Sequence, residues 1–244
     1  MESSSFMYLD GITTMTFFDG PVPLEQLKER LVKVVQASPW LAGKLVKKGK
    51  KVQIAFDSSP TAELVLDKLL DQIELDISTA MPWEALLEKL KGTNAHVKET
   101  GFGLLKKGLP YTRMTVAKKD AASWALVFSV SHVVADGYTY YKVLGMLSTK
   151  ENITSLNPTR RHSFVPALKA AVGSKEYATY MGAASLMMNF LGTMSFSGKP
   201  RVRAFYVDSD KIKEAKNKSS GADFVSTNDI LTAFWGRLTG ARLV

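Results

Sequence analysis

Residues 124–147 read WALVFSVSHVVADGYTYYKVLGML, and this stretch decides the fold. Trp124, Leu126, Phe128 and Val130 alternate with Ala125, Val127, Ser129 and Ser131. That pattern is apolar enough on both faces for a strand inside a sheet. The alternation breaks at Ser131-His132. The six residues from His132 to Gly137 are too short for another element. Gly137 permits a tight bend, and Tyr140, Tyr141, Val143, Leu144 and Leu147 resume at helical spacing. The reading is strand, sharp loop, helix, with an imidazole at the strand's end and a carboxylate four residues on. Strand ends that feed helices commonly place side chains in a cleft.

A neutral imidazole accepts a proton near pH 7, as a general base must. The residues leave two readings open: a base presented to a cleft, or an Asp-Gly turn whose histidine plugs the strand end. His96 and His162 lie in polar sequence and read as ordinary surface or core histidines.

Following an apolar strand, His132-x-x-x-Asp136-Gly137 resembles the signature of acyl-CoA-dependent transferases. These include the BAHD acyltransferases, chloramphenicol acetyltransferase and the condensation domains of peptide synthetases. Other segments follow in the family's order. Leu9-Asp10 with Thr16-Phe17-Phe18-Asp19 is similar to the N-terminal Leu-Asp and aromatic strand of BAHD enzymes. Leu27-x-x-x-Leu31 and Ser38-Pro39-Trp40-Leu41-Ala42-Gly43-Lys44-Leu45 resemble their first helix and Leu-Ala-Gly turn. Ser226-Thr227-Asn228-Asp229, leading into Leu231-Thr232-Ala233-Phe234-Trp235-Gly236-Arg237, resembles the helix that opens their second half.

The resemblance implies an α+β fold, a two-layer α/β sandwich of the chloramphenicol acetyltransferase type with a mixed sheet and helices on one face. It implies an N-terminal domain over 1–150 carrying the histidine motif, a crossover over 151–200, and the start of a second, similar domain over 201–244. It implies that His132 takes the proton from an acceptor hydroxyl or amine attacking the thioester of an acyl-CoA. Asp136 would be architectural, paired with an arginine that the family usually supplies from its second half and for which Arg113 or Arg203 could substitute here, and Gly137 would allow the bend and close approach of substrate. Thr14 and Thr16 correspond to the acceptor side of the channel, or are plain strand threonines. Ser226 and Thr227 sit at a predicted helix N-terminus that suits a phosphate, and helix capping explains them equally well. The expected ligands are acyl-CoA as co-substrate and a small-molecule acceptor, with no metal and no permanently bound cofactor.

BAHD enzymes are substantially longer and build their channel between two similar halves. Their Asp-Phe-Gly-Trp-Gly segment does not occur here. The resemblance therefore implies a C-terminal half or partner chain to complete the site. Two alternatives stand beside it. One is a condensation-type domain, against which speak the single histidine after Ser131 and the Leu41-Ala42-Gly43 turn. The other is a non-catalytic binding module that kept the fold.

Composition narrows the classes. The 244 residues are 45% hydrophobic, enough for a real core. With Cys 0, disulfides, thiolate zinc sites and a thiol nucleophile are excluded. No apolar run reaches the roughly 18 residues of a membrane span, and the N-terminal residues lack a basic, apolar leader pattern, so a cytoplasmic protein is expected. The net charge is +9, and five short Lys or Arg doublets (47–48, 50–51, 106–107, 118–119 and 160–161) fall at predicted turns or strand ends. They are not interleaved with aromatics as on a nucleic-acid surface. They read as solubility, or as attraction for a polyanion such as coenzyme A.

Along the chain, the pattern predicts a strand over 6–19, a helix opened by Pro21 and Pro23 and stopped by Pro39, and a hairpin over 43–56. It then predicts an extended piece over 61–66, a helix over 83–91, and loops at Gly101, Gly103 and Gly108. A strand over 111–117 turns tightly back to pair antiparallel with the His132 strand. Further on come helices over 165–172, 180–194, 209–218 and 228–242, and a strand over 201–207, with Ser226 and Asp229 forming a capping box on the last helix.

Overall fold

The computed structural model describes residues 7–49, 51–159, 163–181, 188, 191–192, 207–218 and 224–239. The chain divides into two compact units, Met1–Met187 and Met188–Val244.

The first unit is built around the strand quoted above. It spans Ser123–Ser131 (β6), and every residue after Ser123 is buried. Its neighbours are β1 (Gly11–Asp19) and β5 (Thr112–Lys118), both antiparallel to it, and β4 (Leu70–Glu74) runs parallel to β5. The four-stranded order is β1-β6-β5-β4, a mixed sheet. Lys119 and Asp120 donate their amides to the Ser123 carbonyl, closing the expected tight turn between β5 and β6.

Period-two alternation sends the side chains of β6 to opposite faces. Trp124, Leu126, Phe128 and Val130 join the larger core with α1 (Leu24–Ala37), α2 (Ala62–Leu69) and α5 (Gly137–Met146). Ala125 and Val127 join a smaller core under α3 (Trp83–Lys91). Helix α1 buries Leu27, Leu31, Val34 and Val35, a four-residue stripe against the sheet. It ends before a 3-10 turn at Pro39–Ala42, as Pro39 dictates. Strands β2 (Lys44–Lys48) and β3 (Lys51–Ala55) form a separate hairpin.

Two sequence expectations change. Residues 61–66 are not extended: Thr61 caps α2 by accepting the Leu64 amide at 3.2 Å, and Val65 and Leu69 share the buried face. Residues 101–107 are not a glycine loop but α4 (Gly101–Lys107), capped by Thr100 and closed by left-handed Gly108. Gly101 is there for space. A methyl on it would lie 2.5 Å from Val133 Cγ2 and 2.9 Å from Met7 Sδ.

After α5 come α6 (Phe164–Val172) and α7 (Ser174–Met181). In the second unit α8 (Ser209–Lys218) and α9 (Thr227–Thr239) are described. The expected helix over 180–194 and strand over 201–207 lie largely outside the described residues, as do His162 and Arg203. Among the described residues, no helix is long and apolar enough to cross a membrane.

Candidate functional site

His132 follows β6 directly. It is half-buried, with its Nδ1 enclosed. The last ladder pair is Gly11 with Ser131, so Asp10 and His132 lie together at one end of the sheet. The Tyr111 carbonyl accepts the Ser131 amide at 2.8 Å, which holds the strand's final residue to the one just before β5. Val133 turns back into the core against Gly101, so α4 packs under the loop.

Asp136 is the N-cap of α5. Its Oδ1 accepts the Thr139 amide at 2.8 Å, and that bond holds the carboxyl below the usual aspartate range, with a smaller contribution from His132. The carboxylate is exposed, and among the described residues no ion pair reaches it. The arginine expected beside it is not Arg113, which pairs with Asp71 at 2.5 Å. Gly137 opens the helix without a left-handed φ, so the bend does not require glycine. A Cβ there would meet nothing within 4 Å, and the space beside it is open.

The far end of α5 is clamped by a residue that sequence reading missed. Arg30 of α1 donates to the carbonyls of Met146 (2.6 Å), Ser148 (2.7 Å) and Glu151 (2.7 Å). A cation here satisfies the helix's final carbonyl, ties it to two carbonyls of the segment that follows, and opposes the negative dipole end.

Thr14 and Thr16 lie at different depths along β1. Thr14 faces Phe128, and its hydroxyl lies 2.7 Å from the hydroxyl of Tyr140, which also accepts the Thr14 amide at 2.9 Å. Tyr140 in turn donates to the Phe128 carbonyl at 2.7 Å. Burial raises the Tyr140 hydroxyl above the ordinary tyrosine range, keeping it a neutral donor. Thr16 faces Leu126, six residues before His132, or roughly 20 Å along the strand. It lines a cavity of about 350 Å³ with Phe18, Trp124 and Leu147. The structure therefore groups Thr14 with Tyr140, and does not bring Thr16 to the imidazole.

Ser226 and Thr227 belong to the second unit. Ser226 Oγ accepts the Asp229 amide at 3.1 Å, and Asp229 Oδ2 accepts the Ser226 amide at 2.8 Å. This is the expected capping box.

His96, read from sequence as ordinary, lines a cleft of about 310 Å³ with Asp10, Thr13, Lys91 and Lys98. Burial, then Lys98, holds its imidazole below the usual histidine range. The available sequence signal was its place between two apolar residues, Ala95 and Val97.

No family model matches the sequence, and no curated protein matches it. Solved structures do. SgcC5 from Streptomyces globisporus is 20% identical over 69% of this chain and 36% of its own, with a TM-score of 0.40. TRI101 of F. sporotrichioides, complexed with coenzyme A and T-2, is 16% identical over 61% of this chain and 39% of its own, with a TM-score of 0.41. The first condensation domain of the calcium-dependent antibiotic synthetase, in complex with a substrate analogue, is 14% identical over 96% of this chain and 57% of its own. Its TM-score is 0.52. The chain thus spans 36–57% of the length of these three chains. Its mixed α/β architecture is that of the condensation-domain fold.

Proposed function

We propose that the protein is the histidine-bearing half of an acyl-CoA-dependent O- or N-acyltransferase acting in the cytoplasm. His132 is the general base: it takes the proton of an acceptor hydroxyl or amine as the oxygen or nitrogen attacks the thioester carbonyl. The tetrahedral intermediate then expels the CoA thiolate, which recovers the proton. Most of the barrier reduction comes from holding two substrates together, and base catalysis adds ~10²–10⁴-fold. Asp136 shapes the elbow and moves no proton. The open space over Gly137 admits the reacting groups. Residues 1–150 form the motif-bearing domain, 151–200 the crossover, and 201–244 the beginning of a second, similar domain.

The observation that carries this reading is the half-buried imidazole at the end of the buried strand β6, on a fold shared with a condensation domain. The exposed aromatic side chains of Tyr138 and Tyr141, on the helix that follows, suit a surface completed by a further half or partner chain.

The condensation-domain match favours one second reading, a domain that accepts acyl groups from a carrier protein instead of free CoA. Both are tested together. The chain, alone and with a complementary C-terminal half, is incubated with acetyl-CoA or an acylated carrier protein and with phenol and amine acceptors. Thiol release that falls by at least ~10²-fold in His132→Ala supports the base, and the donor consumed separates the two readings. Absence of thioester binding by calorimetry in every combination would mean that the fold serves binding alone.

A further inference from the structure

Two side chains hold the start of α5, and they differ in reach. Asp136 bonds the Thr139 amide within its own turn, so it shapes the helix start without attaching it to the sheet. Tyr140 lies one turn on and is fully buried. Its hydroxyl touches both strands at a single register point, where Thr14 of β1 faces Phe128 of β6. A phenol has one proton and two lone pairs. The proton goes to the Phe128 carbonyl, and the oxygen accepts the Thr14 amide and the Thr14 hydroxyl, so the capacity of the group is fully used. The ring packs 5.4 Å from that of Phe128 and 5.3 Å from that of Tyr141.

We propose that Tyr140, with Thr14 as its partner, is the positioning residue that fixes the His132 elbow over the end of the sheet. Its kinetic consequence rests on the acyl-transfer reading; its structural consequence does not. The four residues between His132 and the helix are tied at one end by β6 and at the other by α5. The height of α5 above β1 and β6 therefore sets where the imidazole stands. Without the phenolic oxygen, the Thr14 amide and Phe128 carbonyl must find other partners, and the helix settles elsewhere. A displacement near 1 Å costs a reaction about 10²-fold. Thr14 accordingly acts through Tyr140 and not on the acceptor.

The test compares Tyr140→Phe, Thr14→Val and Thr14→Ser with a core control on the opposite face, Leu90→Ala. His132 ring resonances and exchange of the Thr14 amide are followed by NMR, and kcat and KM by thiol release. Tyr140→Phe is expected to shift or broaden the His132 ring signals, speed Thr14 exchange, and lower kcat by about 10–100-fold with acceptor KM nearly constant. Thr14→Val gives a smaller change of the same kind, and Thr14→Ser, which keeps the hydroxyl, restores the wild-type spectrum. Leu90→Ala lowers the melting temperature without moving the ring signals. Unchanged His132 signals in both Tyr140→Phe and Thr14→Val overturn the proposal, and Thr14→Val alone decides if Tyr140→Phe does not fold. If the wild-type protein transfers no acyl group at all, the functional reading fails while the NMR comparison still judges the tether.

Discussion

Helices α5 and α9 begin in nearly the same way and are held quite differently. Each starts with a side chain accepting the amide three residues on: Asp136 takes that of Thr139, and Ser226 takes that of Asp229. Beyond the cap they part. Helix α5 buries Tyr140, Val143 and Met146 against the sheet and is clamped at its far end by Arg30. Helix α9 leaves Phe234, Trp235 and Leu238 each about three-fifths exposed. A cap is written locally and says where a helix starts. What the helix then does depends on contacts that its own sequence does not contain.

That contrast can be broken by mutation. The largest stability effect is expected from Arg30→Ala, which strips the Met146 carbonyl at the end of α5, and the Ser148 and Glu151 carbonyls beyond it, of a charged donor and should cost about 2–3 kcal/mol in denaturant unfolding. A loss below about 0.5 kcal/mol would mean that the clamp contributes little and that α5 is held by its buried face alone.

Asp136→Ala should cost about 1 kcal/mol, the usual worth of an N-cap. Its pH dependence has a fixed sign. The folded carboxyl is depressed by the Thr139 amide, so the cap's contribution is complete above the unfolded aspartate value of about 3.9. It is lost as pH falls through the lower folded value. Asp136→Asn, which caps without titrating, should flatten that acid limb of the stability curve; an unchanged limb would remove Asp136 as its source.

The smallest change is predicted for Ser226→Ala, roughly 0.5 kcal/mol. It should appear as local loss of helix signal near residues 227–230, with the melting of the first unit unaltered. A global loss of stability would show that the two helix starts are more alike in their attachments than their burial indicates.

Much of the frame was legible. Residues 83–91 and 209–218 are helical over the expected bounds, because each has amphipathic or charged helical spacing and few competing signals. The His132 strand and its antiparallel partner followed from alternation and a polar turn. Strand β4 was missed because Leu70, Gln72 and Glu74 give it little apolar pattern; a parallel pairing with β5, some 44 residues on (Leu70 to Met114), makes it a strand. Glycines hid α4, where Gly101 is chosen for closeness and not for flexibility. At the site, the imidazole and its cap were visible in one short segment. The Thr14–Tyr140 bond joins residues 126 apart, and Arg30 meets Met146 across 116. No local pattern announces such pairs, so the sequence offered Thr14 as an acceptor contact or a plain strand threonine and gave no sign of its bond to Tyr140.

The missing side chain at position 101 has one more consequence. Val133 and the sulfur of Met7 occupy the volume where even a methyl group would stand, so α4 acts as a shim of fixed thickness beneath the histidine loop. Any larger residue at that position would press on Val133, the neighbour of the imidazole in the chain, and so bear on the loop from below.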